Sequence, residues 1–154
     1  MSGNEMDRQL TARLVDGLYA EAMLLADEAR HWFDQQGREV RAGLSPLLQV
    51  EMSCEALRVT TRLMHVIAWL LNRRALAAGE IGEEDLRRPA NRLGPVERGD
   101  PAVLAGLPAD ARALIEASRD LHERVARLDA RMGDPAPAGQ GPARGLFRRL
   151  EDAF

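Results

Sequence analysis

His31, His65 and His122 are the side chains of this sequence best suited to chemistry near neutral pH, as metal ligands, proton shuttles or phosphoryl carriers. Their spacing argues against a metal. They fall on three separate helical segments, no His-Glu-x-x-His pair occurs, and no close cluster with Cys or Asp stands at ligand spacing. His65, placed mid-helix on a polar row, has the position a phosphotransfer histidine would need. Such domains have a His-x-x-Lys-Gly pattern, whereas His65 is followed by Val66, Ile67, Ala68 and Trp69. Cys54 falls on an apolar stripe, where a small buried thiol is inert. Ser45, Ser53 and Ser118 lie in no Gly-x-Ser-x-Gly turn, and the scattered glycines form no phosphate cradle. All 21 basic residues are arginine, so neither a lysine Schiff base nor a P-loop lysine can exist. The expectation is a chain with no catalytic residue, no cofactor and no metal.

Charge narrows the partners. The 21 arginines interleave with 24 acidic residues for a formal charge of −3, which gives little grip on nucleic acid or an anionic membrane. One cysteine cannot close an internal disulfide. The start, "MSGNEMDRQL", lacks the basic and apolar regions of a signal peptide, and the longest apolar run, Val66 to Leu71, is far below the ~18 residues of a membrane span. A soluble, cytoplasmic protein is expected.

Scarce aromatics and abundant Ala, Leu and Arg point to an all-α fold. After a flexible stretch at 1–9, Leu14, Leu18, Ala22, Leu25, Ala29 and Trp32 fall at three- and four-residue steps, one stripe of a helix that Gly37 is placed to stop. Ser45-Pro46 reads as the next start, a capping hydroxyl followed by proline at the first helical position. Leu47, Val50, Cys54, Leu57, Thr61, Met64, Ala68, Leu71, Ala75 and Ala78 then keep the rhythm to Gly79, a rod of about 50 Å. A second stripe, Met52, Ala56, Val59, Leu63, Val66 and Leu70, lies beside it, so this overlong helix is expected to be central and buried against more than one neighbour. The row left over, Glu51, Glu55, Arg58, Arg62, His65, Trp69 and Asn72, is its expected exposed face.

Prolines and glycines break up 80–107 into a loop. Leu107, Ala111, Leu114, Ser118, Leu121, Val125, Leu128 and Met132 supply a third stripe, with Asp120 and Glu123 one turn before Arg124 and Arg127. The inferred architecture is an antiparallel three-helix bundle over 10–132 with an overlong central helix. Residues 133–154 change character: Gly, Pro and Ala to Gly145 read as a disordered linker. In "GLFRRLEDAF", Leu146, Phe147, Leu150 and Phe154 would share one face of a short helix, with Arg148 and Arg149 beside them. Ten residues cannot hold a helix alone in water. The segment therefore docks on a partner or folds back on its own bundle.

The central helix carries a resemblance. Cys54-Glu55-Ala56-Leu57-Arg58-Val59-Thr60-Thr61-Arg62-Leu63-Met64, then Trp69-Leu70-Leu71 and Arg74-Ala75, resembles the hallmark of the alphaproteobacterial regulator of CtrA degradation (RcdA) family. "LYAEAMLLADEARHWFDQQGR" is similar to that family's first helix and "LIEASRDLHERVARLD" to its third, while His65 and Ala68 stand where the family has glutamine and serine. The resemblance implies a non-catalytic, homodimeric three-helix bundle. It also implies an adaptor that helps the ClpXP protease degrade cell-cycle substrates such as CtrA, with a CpdR-like response regulator and a PopA-like adaptor, and with recruitment to a cell pole. The family's flexible tail implies a tethering role for Leu146, Phe147, Arg148, Arg149, Leu150 and Phe154. On this reading the second stripe of the central helix is the dimer contact, and Glu55, Arg58, Arg62, His65 and Trp69 form a partner-docking face, because exposed Trp and Arg anchor interfaces. Two alternatives remain open: a histidine phosphotransfer-like bundle using His65, and a helical scaffold unconnected with proteolysis.

Overall fold

The computed structural model describes residues 2–133. Helix α1 runs Ser2–His31, starting well before Leu10. It does not stop at Gly37. A π-helical turn, Trp32–Gln36, passes the chain into α2, Gly37–Ala42, without a break in helical geometry. Gly37 is buried with φ −64°, and a Cβ there would lie 3.1 Å from the Trp32 carbonyl and 3.2 Å from Met52 Cε. Its function is close approach, not a left-handed stop. The extra residue of the π turn turns Trp32 and Phe33 into the core, where their rings meet edge to face at 5.1 Å.

Helix α3, Pro46–Ala77, begins and ends as its residue types dictate. The Ser45 hydroxyl accepts from the Leu48 amide, and Pro46 fills the first position. At the other end Gly79 takes φ 76°, with Glu80 N–H donating to the Ala75 carbonyl and Gly79 N–H to that of Leu76. This pairing satisfies carbonyls that the helix end would leave bare. Beyond it come two short helices, α4 (Glu83–Arg87) and α5 (Pro101–Leu104), a 3-10 turn at Pro89–Asn91, and the long helix α6, Ala109–Gly133. The described residues contain no strand.

Helix α1 packs antiparallel to α3: Arg74 pairs with Asp16 at 3.2 Å near one end, and Gly37 meets Met52 near the other. Helix α6 departs from the expected up-down-up order. Arg62 bonds Ser118, His65 and His122 share one carbonyl, and Trp69 bonds Asp129, so α3 and α6 ascend together. A parallel pair needs a return crossing, and residues 80–107 provide it as a strap. It lies by His65 at Gly94, by Glu55 at Gly99 and by Leu48 at Gly106. The loop is thus a structural layer, which accounts for its length.

The core joins Leu18, Ala22, Leu25, Ala29 and Trp32 of the first stripe to Ala111, Leu121, Val125 and Leu128 of the third. From α3 it takes Met52, Val59, Leu63, Val66 and Leu70. That is the second apolar stripe, here the core and not a surface for a second copy. The first stripe faces outward instead.

Candidate functional site

The row Glu55, Arg58, Arg62, His65 and Trp69 is the face of α3 that the strap covers. Glu55 is fully buried; Arg62 and Trp69 are each 3% exposed. The expected docking face is corrected on that ground, because these side chains spend their polar atoms inside the protein. Trp69 donates from Nε1 to Asp129 Oδ1 at 2.9 Å, and Arg92 of the strap donates from Nε to the same oxygen at 2.9 Å. Arg73, one turn on, stacks 4.9 Å over the Trp69 ring. Burial pushes the Asp129 pKa up, but the hydrogen bonds from Arg92 and Trp69 outweigh it and hold the carboxyl below its ordinary value.

One turn lower, His65 donates from Nδ1 to the Gly94 carbonyl at 3.2 Å and His122 from Nε2 to the same carbonyl at 2.9 Å. A carbonyl only accepts, so this bond fixes the protonated nitrogen of each ring. A phosphotransfer histidine must offer its imidazole to a partner; His65 is half-buried beneath the strap. Arg62 donates to Ser118 Oγ at 3.3 Å and to the Glu97 carbonyl at 3.4 Å. At the base Arg58 pairs with Glu55 Oε1 at 2.5 Å, while Glu55 Oε2 has no partner among the described residues. The row is a zipper that pins the strap between two parallel helices.

Chemistry is otherwise sparse. Among the described residues no group of three or more His, Cys, Asp or Glu side chains could hold a metal ion. His31 stands apart from the other two histidines, and Cys54 is half-buried and in no disulfide. No described helix is long and apolar enough to cross a membrane. The expected tail motif, Leu146, Phe147, Arg148, Arg149, Leu150 and Phe154, and the linker before it lie outside the described residues.

What the structure leaves open is the first stripe of α3. Leu47, Val50, Leu57, Met64 and Leu71 are 65, 59, 68, 64 and 45% exposed. The large residues at 50, 57, 64 and 71 repeat every seven positions, and Cys54, Thr61, Ala68 and Ala75 form a parallel file of small ones. That is a two-file heptad seam without a partner helix among the described residues. Sequence reasoning placed this stripe inside. The signal against that placement was the regular small file with Thr61 at its centre, which fits a helix-helix seam better than a general core.

A family model described as a protein of unknown function (DUF1465) matches residues 6–154. No curated protein matches. Among solved structures the chain is similar to the crystal structure of RcdA from Caulobacter crescentus CB15, at 34% identity and a TM-score of 0.64, over 77% of this chain and 90% of that one. The matched family model spans nearly all of the sequence, and with the structural similarity it shows that this chain belongs to the DUF1465 family, the family of RcdA.

Proposed function

We propose that this protein is a non-catalytic adaptor in regulated ClpXP proteolysis, helping to deliver a CtrA-like cell-cycle regulator. The carrying observation is the exposed heptad seam of α3, a contiguous apolar surface of the kind that marks a protein contact. It accompanies family membership and a histidine row engaged in holding the strap. An adaptor raises the local concentration of substrate at the protease, which takes separable surfaces and a tether, not a pocket.

On this reading the seam joins two copies. In an antiparallel pair about a two-fold axis between Thr61 and Met64, large residues meet small ones: Val50 with Ala75, Leu57 with Ala68, Met64 with Thr61, Leu71 with Cys54. Alternating volumes of this kind let helices approach and interdigitate. The pairing is isologous, so each contact occurs twice. A CpdR-like response regulator and a PopA-like adaptor are the further partners, and the dimer acts in the cytoplasm, recruited to a pole. The tail motif around Phe147 and Leu150 serves as the tether.

A pull-down from native lysate tests the reading, with the full chain beside a version ending at Met132. Recovery of the protease unfoldase or the response regulator by the full chain, and its loss with the truncation, is the expected result. Recovery of no proteolytic component by either bait removes the adaptor reading and leaves the helical scaffold.

A further inference from the structure

The strap is not held evenly along its length. Its ends are anchored by apolar side chains: Leu86 and Leu107 are buried, and Leu93 and Leu104 pack against the core. Between them, none of the residues from Gly94 to Asp100 is buried. Among the described residues, no amide of that stretch donates to a backbone carbonyl. What fastens it is polar. The Gly94 carbonyl accepts from His65 and His122, the Glu97 carbonyl accepts from Arg62, and Arg98 pairs with Glu123. Both partners of that ion pair are open to water, so it contributes little.

Beneath the segment lie two charges that closure keeps from water. Glu55, against Gly99, is fully buried, and its Oε2 has no hydrogen-bond partner among the described residues. Arg62 is buried as well, and its bonds to Ser118 and to the Glu97 carbonyl, at 3.3 and 3.4 Å, are longer than an ordinary N–H to oxygen bond. Burial lowers the Arg62 pKa; Glu55 attracts the guanidinium, while Arg119, Arg58 and Arg98 repel it. Buried charges with incomplete partners are costly, and here one weakly held stretch of chain separates them from solvent.

We propose that residues 94–100 are a latch that opens and closes on the folded bundle, while the anchored ends of the strap stay in place. Opening returns Glu55 and Arg62 to water and displays the row that closure hides, Glu55, Arg58, Arg62 and His65. A segment fastened only by polar contacts over uncompensated charge gives way before packed helices do. The latch depends on contacts within one protomer and on no part of the adaptor reading, so a failed pull-down leaves it standing.

Thiol labelling of the full-length protein tests it, in a Cys54→Ala background that removes the native thiol. Ser118→Cys exchanges oxygen for sulfur at a fully buried position beneath Arg62. Ala111→Cys places a thiol at an equally buried position of α6, away from the latch. A disulfide reagent should label the first about a hundredfold or more faster than the second, yet far more slowly than an exposed thiol. The faster rate should stay nearly flat in urea below the unfolding transition, because a latch exposes little surface. Equal rates at the two positions, a urea dependence as steep as that of global unfolding, or labelling of the Ser118→Cys thiol as fast as an exposed one each overturn the proposal. The unmodified protein supplies a second measurement. Phenylglyoxal under single-hit conditions should modify Arg62 more slowly than the exposed Arg30, at a rate insensitive to low urea. Modification of Arg62 only through global unfolding overturns the latch.

Discussion

Asp129 shows how one residue ties helix, strap and core together. It accepts from Trp69 of α3 and from Arg92 of the strap, and it is 7% exposed. Asn at this position keeps the shape and loses the charge, so Asp129→Asn should cost about 1–3 kcal/mol at neutral pH. The pH dependence follows from the lowered folded-state pKa, set against an ordinary value of 3.8. The unfolded chain takes up a proton first, so the stabilisation is present above the ordinary carboxylate range and is lost as pH falls through the folded value. Urea unfolding at pH 7 and again below 3.8 is the check. The gap between wild type and variant should close on acidification, and a gap independent of pH would remove the charge from the explanation. Trp69 teaches the complementary lesson. Its sequence position beside Arg58, Arg62 and His65 suggests an exposed anchor, yet its indole proton finds Asp129 sixty positions away.

At the scale of elements, the strap is the part that most needs glycine. A Cβ on Gly99 would fall onto Glu55 Oε1, well inside contact distance, and the fully buried Glu55 carboxylate can retreat only by breaking its bond to the partly exposed Arg58. Gly99→Ala should therefore destabilise by about 1–3 kcal/mol, the usual range for overpacking. Gly17 is the opposite case, an exposed mid-helix position of α1 with nothing within 4 Å of the added carbon. Gly17→Ala should stabilise by about 0.5–1 kcal/mol, because alanine has less backbone freedom to lose. Thermal denaturation of the two variants side by side distinguishes steric from conformational effects; equal shifts would count against the close approach of Gly99 to Glu55.

For the whole molecule, the proposed pairing of two copies rests on the outward seam of α3. Leu57→Asp with Met64→Asp lies on exposed positions, so the protomer's own stability should change by about 0.5 kcal/mol or less. Sedimentation of the variant should give half the mass of the unmodified protein, with helicity retained. A monomeric wild type, or a dimer indifferent to the two charges, would show that the seam serves some other contact. The strap that returns the chain so that α3 and α6 run parallel lies on the polar row of α3 and leaves the opposite apolar row uncovered.

The sequence by itself determined the helical content, the Ser45-Pro46 start, the Gly79 stop and the inward stripes of the first and third long helices, apart from Leu14, which opens the first stripe and is 46% exposed. Those features are local: capping, left-handed backbone at glycine and a three-four rhythm need no knowledge of neighbours. It did not determine which arc of α3 faces inward. Leu57 and Met64 are as apolar as Val59 and Val66, and Arg62 reads as a surface residue until Ser118 and the Glu97 carbonyl are brought to it. Burial of the polar row is favourable only when the strap and α6 supply its partners, contacts that span 29 to 60 positions in sequence. That cooperation among distant segments exists in the tertiary structure alone, and it is what turned the apolar seam outward.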